Sequence, residues 1–99
     1  MNYGVHFSKK AQRDFGELLS PFQEQLLTKL IVLKTNPFPD GKRVKKIRGT
    51  KASLYRLRTE LPDQSYRVFY SILKPNIVMI LRIVPKKTAD RIIHSLARG

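Results

Sequence analysis

The chain has no cysteine in 99 residues, which rules out a disulfide framework and any thiolate metal site. Histidine is nearly as scarce. His6 and His94 stand at opposite ends of the chain, a poor arrangement for zinc. Apolar runs are short as well: the longest apolar-rich stretch, Leu26 to Leu33, is broken by Thr28 and Lys29. The opening MNYGVHFSKK lacks the apolar centre of a secretion signal, so neither a leader nor a membrane span is expected, and the cytoplasm is the expected location. Glycine-rich phosphate loops, HExxH and GxSxG are all missing. Nucleotide hydrolysis, zinc proteolysis and serine acyl transfer therefore have no support, and no metal or cofactor is implied.

Acidic residues are the other shortage. Seven Asp and Glu face twenty Lys and Arg, for a formal net charge of +13. A small domain tolerates such self-repulsion best with a polyanionic partner. With 41% hydrophobic residues and nine aromatics, residues 1–99 suit a single domain with one core and are too few for two.

The stretch LYRLRTELPDQSYRVFY, Leu54 to Tyr70, reads as a β-hairpin with two unlike faces. Successive strand residues point to opposite sides, which sets Tyr55, Leu57 and Thr59 against Leu54, Arg56, Arg58 and Glu60. The second strand divides into Tyr66, Val68, Tyr70 and Ile72 on one side and Ser65, Arg67, Phe69 and Ser71 on the other. Any antiparallel register that joins the apolar sets also gathers Arg56, Arg58 and Arg67. Like charges opposed across strands repel, so the gathering makes sense if an anion belongs there. Arg67 is expected to be exposed and dispensable for folding. Tyr66 and Tyr70 are expected in the core.

Around this hairpin, Tyr3, Val5 and Phe7 alternate with Asn2, Gly4 and His6 as a half-buried first strand. Ser8 is placed to cap a helix bearing Ala11, Phe15 and Leu18. A second helix is expected from Ser20 to about Lys34, with Ser20 as cap, Pro21 at the first position and Gln23 completing a capping box. Its residues Phe22, Leu26, Leu30 and Leu33, flanked by Leu27 and Ile31, read as core. TNPFPDG, Thr35 to Gly41, is a loop. The basic run Lys42 to Lys51 is expected to be irregular and partly strand-like, with Lys45, Lys46, Arg48 and Lys51 open either to solvent alone or to nucleic-acid contact. After a turn at Lys74-Pro75-Asn76, Ile77 to Val84 forms a strand apolar on both faces. A register that sets Ile77, Met79, Leu81 and Ile83 on the tyrosine face would make Arg82 a fourth cation of the arginine face. Thr88 can cap a last helix with Ala89, Ile92, Ile93 and Leu96 inward. Lys87, Arg91, His94 and Arg98 would then form a basic stripe, with Lys86 beside it.

What remains for this surface is phosphate chemistry or plain binding. RNA carries its own nucleophile in the 2′-hydroxyl. Arginines can stabilise charge on phosphoryl oxygens through bidentate donors, but they cannot serve as a base. Candidate bases are His94, Glu60 and the lysines Lys86 and Lys87, with Glu60 read first as an ion-pair partner of Arg58.

VHFSKKAQRDF, NPFPDG, KKIRG followed by LYRLR, then SYRVFY, then LRIVPKK before a final helix resemble, in that order, the RelE/ParE superfamily of toxins from type II toxin–antitoxin systems. The resemblance spans nearly the whole chain and is closer to the RelE mRNA-interferase branch. It implies an α+β fold: a mostly antiparallel sheet of four or five strands, two N-terminal helices on one face, a short C-terminal helix, and the other face open to RNA in the ribosomal A site. It implies ribosome-dependent, metal-independent cleavage of mRNA, with Arg56, Arg58, Arg67, Lys87 and His94 at the catalytic positions; Arg82 from the strand face and Lys86 and Arg91 from the last helix are then candidate RNA contacts. A tyrosine important in relatives falls at Ile93, and His94 resembles the C-terminal histidine that others use. The alternative it implies is a ParE-like poison of DNA gyrase without nuclease activity. Either way the implied partner is a RelB-like antitoxin, acidic where it meets the toxin, with operator DNA reached only through it.

Overall fold

The period-2 alternation at the N-terminus does produce a strand, β1 (Gly4–Phe7), whose odd residues are half-buried and whose even residues are exposed. This is a computed structural model, and it describes residues 2–47 and 53–98. Ser8 then accepts the N–H of Ala11 at 3.1 Å and starts α1 (Lys9–Gly16). The same hydroxyl donates to Leu81 C=O at 3.0 Å, tying the helix start to a strand 73 residues away.

Helix α2 (Ser20–Leu30) begins one residue earlier than its capping pattern suggests. Leu19 is the cap and uses no side chain, Ser20 is already helical, and Gln23 donates to Phe15 C=O at 2.9 Å instead of closing a capping box. A 3-10 turn, Ile31–Lys34, continues the helix. Leu26, Leu30 and Leu33 are buried, whereas Leu27 and Ile31 are 46% and 57% exposed and do not belong to the core. The loop after it is anchored from within. Pro37 is fully buried, and its carbonyl accepts the Tyr70 hydroxyl at 2.6 Å. Asp40 Oδ1 accepts the N–H groups of Lys42, Arg43 and Val44 at 2.8, 2.9 and 3.0 Å. Gly41 has φ +80, a left-handed backbone that favours glycine.

Strands β2 (Val44–Ile47), β3 (Leu54–Glu60), β4 (Ser65–Leu73) and β5 (Ile77–Pro85) complete a five-stranded sheet in the order β1-β5-β4-β3-β2. All pairs are antiparallel except β1 with β5. Val44 and Ile47 look mis-spaced for a strand because they serve opposite faces, each packing into a different apolar cluster.

The larger cluster lies on the tyrosine face, where Leu57, Tyr66, Val68, Tyr70, Val78, Ile80 and Ile83 meet Ala11, Leu26, Leu30 and Leu33 from the N-terminal helices. Each fully buried aliphatic side chain there contributes about 1.5–3 kcal/mol. The smaller cluster is on the opposite face: Leu54, Phe69 and Val84 pack with Ala89, Ile92, Ile93 and Leu96 of α3 (Ala89–Arg98), which follows a 3-10 turn, Lys86–Thr88. Thr88 lies inside that turn, and its hydroxyl donates back to Pro85 C=O at 3.1 Å, so it does not cap α3 as expected.

The expected register of β5 holds only in its second half. Ile83 pairs with Val68, but Val78 and Ile80, rather than Ile77 and Met79, pair with Ile72 and Tyr70. A bulge opposite Phe69/Tyr70 leaves Leu81 as the extra residue and changes the parity. Because both faces of this strand are apolar, its sequence could not specify which alternate set turns inward.

Candidate functional site

The hairpin register places Arg58 directly opposite Arg67 and Arg56 directly opposite Phe69. Lys45 of β2 pairs with Arg56, so four cations share one sheet face. Glu60, the acid on that side of β3, pairs across the ladder with Ser65, whose hydroxyl donates a hydrogen bond to its carboxylate. It makes no ion pair with Arg58 among the described residues, contrary to the expectation from sequence.

This face is not the open surface that was expected. Arg67 is only 4% exposed, and its Nη1 donates to Tyr66 C=O at 3.2 Å. The buried Nε and Nη2 of Arg56 have no hydrogen-bond partner among the described residues. Arg58 alone of the three is exposed. Burial, and then the neighbouring Arg58, push Arg56 below the usual arginine range. Arg67 is lowered by burial, then by Arg56 and Arg58, with Glu60 acting the other way. Guanidinium groups stay protonated at any working pH, so these shifts mark how unfavourable the cluster is as it stands. A phosphate would supply the acceptors that Arg56 lacks and the charge that all three lack.

The comparisons bear on what such a surface serves. The family model for the ParE toxin of the type II toxin–antitoxin system parDE matches residues 5–89. The chain belongs to this toxin family. In structure the toxin is similar to RelE in the archaeal RelE–RelB complex from Pyrococcus horikoshii OT3, with 30% identity, TM-score 0.67, and coverage of 87% of this chain and 97% of that one. It is also similar to a double mutant of the E. coli RelE toxin in the free state, at 22% identity, TM-score 0.71, and coverage of 98% and 95%. The RelBE2 toxin–antitoxin complex from Mycobacterium tuberculosis matches at 24% identity, TM-score 0.68, and coverage of 87% and 100%. No curated protein sequence matches the chain. These relations place the toxin in the RelE/ParE superfamily, in agreement with the resemblance carried by its strands.

The remaining candidates are scattered. Arg82 does share the face of Phe69, but its Nε and Nη2 are held by Asp14 of α1 at 2.8 and 3.2 Å, and it is 23% exposed. Asp14 Oδ2 also accepts the Ile83 N–H at 2.8 Å, so the pair closes the edge of β5 beyond the end of β1. Arg82 is therefore a neutralised scaffold cation and not a fourth free one. Lys46 pairs with Tyr55 and lies on the opposite face from Lys45. Lys86 and Lys87 are exposed in the turn before α3, and Arg91 and His94 are exposed on the helix, whose Ile92 and Ile93 turn toward the sheet. The apolar side of α3 thus packs on the arginine-bearing face while its basic side points away. Ile93, at the position of the family's tyrosine, belongs to that apolar contact. Arg48 and Lys51 lie outside the described residues, as does the side chain of Arg98.

Two basic residues not singled out from the sequence also stand near the site. Arg43 accepts the Arg58 N–H on its carbonyl at 2.8 Å, and Lys29 lines a cavity with both. Arg43 shares the parity of Lys45, a signal that was available. Lys29 sits on a helix distant in sequence, and no local pattern points to it.

Proposed function

We propose that the toxin inhibits translation by ribosome-dependent endonucleolytic cleavage of mRNA. The observation that carries this reading is the arginine cluster: Arg58 opposite Arg67, with Arg56 beside them holding two buried donors that no group among the described residues satisfies. Such a cluster is disfavoured in the free protein and is relieved by a polyanion. In the reaction the 2′-hydroxyl of the substrate attacks the adjacent phosphorus and passes its proton to a base, the bond to the 5′-oxygen breaks to leave a 2′,3′-cyclic phosphate, and an acid protonates the departing 5′-oxygen. Arg58 and Arg67 stabilise the charge that builds on the phosphoryl oxygens, each donor contributing about 2.7–4 kcal/mol, or roughly 10² to 10³ in rate. Arg56 orients the same phosphate from beneath. Proton transfer falls to Glu60, Lys87 or His94. Glu60 already acts on Arg67 through its charge, whereas Lys87 and His94 are exposed at the last helix.

A partner follows from the same surface. Two relatives of known structure, from P. horikoshii and E. coli, are complexes of RelE with RelB, and we propose a RelB-like antitoxin for this toxin, acidic where it meets the arginines. The second reading is supported by the family model itself, which describes ParE toxins. A gyrase poison needs no proton acceptor.

Primer extension on an mRNA incubated with the purified toxin, with and without translating ribosomes, separates the two. Cuts inside codons that appear only with ribosomes support cleavage. An intact message under translation, together with trapped gyrase–DNA complexes, assigns the gyrase reading.

A further inference from the structure

A cavity of about 380 Å³ opens between α2, the start of β2 and the end of β3. Val32 and Leu57 supply apolar lining, and Lys29, Arg43 and Arg58 supply three cations. Glu60, the one carboxylate in the lining among the described residues, is engaged by Ser65. Asp40 approaches Arg43 only at 3.9 Å on an exposed surface, where an ion pair contributes little. Arg58 is the connecting residue, because it lines this cavity and also stands opposite Arg67 on the arginine face.

We infer that this cavity is a second nucleotide subsite, which holds one unit of a single-stranded RNA whose neighbouring phosphate lies on the arginine face. The volume falls in the range of pockets that enclose small ligands. The apolar lining takes the base or ribose, and the cationic rim takes the phosphate oxygens. Because α2 and Leu57 set the cavity on the tyrosine side, a strand bound at Arg67 rounds the edge of β3 at Arg58, beyond the start of β2, to reach it. The inference rests on the RNA reading above and adds to it a direction for the strand.

The test is the salt dependence of binding of a short fluorescent single-stranded RNA to the full chain, measured by anisotropy from about 50 to about 200 mM salt. Each phosphate contact contributes about 0.7 to the slope of log affinity against log salt, so K29A/R43A is expected to flatten it by about 1.4 and to weaken binding at low salt. Both side chains are exposed, so the circular dichroism spectrum should be unchanged. K9A/K10A removes the same charge from α1 and should alter the slope far less. An unchanged slope in K29A/R43A overturns the subsite alone. Equal loss in K9A/K10A also overturns it, since net charge would then explain the effect. Failure of the wild-type toxin to bind RNA overturns both the subsite and the RNA reading. A poly-glutamate peptide whose binding K29A/R43A abolishes, with the RNA slope intact, assigns the cavity to a protein partner and overturns the inference.

Discussion

The two faces of the sheet are built by the same strands and are buried to different ends. On β4, Tyr66, Val68 and Tyr70 alternate with Arg67 and Phe69, and all five are buried. On the tyrosine side no buried side-chain polar atom of the described residues lacks a partner: the Tyr70 hydroxyl reaches Pro37, and the Tyr55 ring stacks on Tyr70 at 5.6 Å and 22°. On the arginine side Phe69 and Val84 pack under α3 while Arg56, next to them, keeps two donors unpaired. Among the described residues, thirteen buried side chains form the first cluster and four the second. The first face therefore carries most of the stability, and the second spends part of its own on a cation cluster. Burial alone does not distinguish scaffold from site here. Chemical satisfaction does.

Substitutions can break this contrast. The largest effect is expected at Tyr70→Ala, about 3–5 kcal/mol by urea denaturation, because a fully buried aromatic leaves a cavity and an unpaired carbonyl. A loss below about 1 kcal/mol would mean that the tyrosine face is not the main core. Arg58→Ala comes next: ribosome-dependent cleavage should fall by about 10² to 10³, with stability within about 0.5 kcal/mol of wild type. Unfolding of that variant would show the exposed arginine to be part of the scaffold.

Arg56→Met should separate stability from function in opposite directions. Removing the buried unpaired donors is expected to raise stability by about 1 kcal/mol, or about 4–8 °C in melting temperature, while activity drops. A lower melting temperature would show that Arg56 is held favourably in the free protein.

The smallest effect concerns the loop that Tyr70 anchors. Three backbone N–H groups, with Arg43 adding to them, hold the Asp40 carboxyl below its usual range. A depressed carboxylate stabilises the fold above its unfolded value and loses that contribution as pH falls through the folded one. The difference in urea midpoint between wild type and Asp40→Asn should therefore be full near neutrality and shrink below about pH 4. A difference that does not change with pH would remove the charged cap from the account of this loop.

By itself the sequence determined which residues share a face. The period-2 pattern of Leu54 to Tyr70 specified both sets, and the one register that joins the tyrosines also joins Arg56, Arg58 and Arg67, as observed. The Ser8 cap, the loop at Pro37 and Asp40, and the amphipathic last helix were equally legible, since each rests on residues a few positions apart. Tertiary structure decided what lies over each face. Arg67 is buried on the face where α3 folds back on Phe69 and Val84, and Arg82 left the cluster because Asp14, 68 residues away, binds it. Leu27 and Ile31 match the apolar period of α2, yet no element of the described structure covers them. The bulge at Leu81 arose in a strand whose two faces are equally apolar. Local periodicity assigns directions to side chains. The partner that each one meets is set by packing between segments far apart in the chain, and no local pattern encodes it.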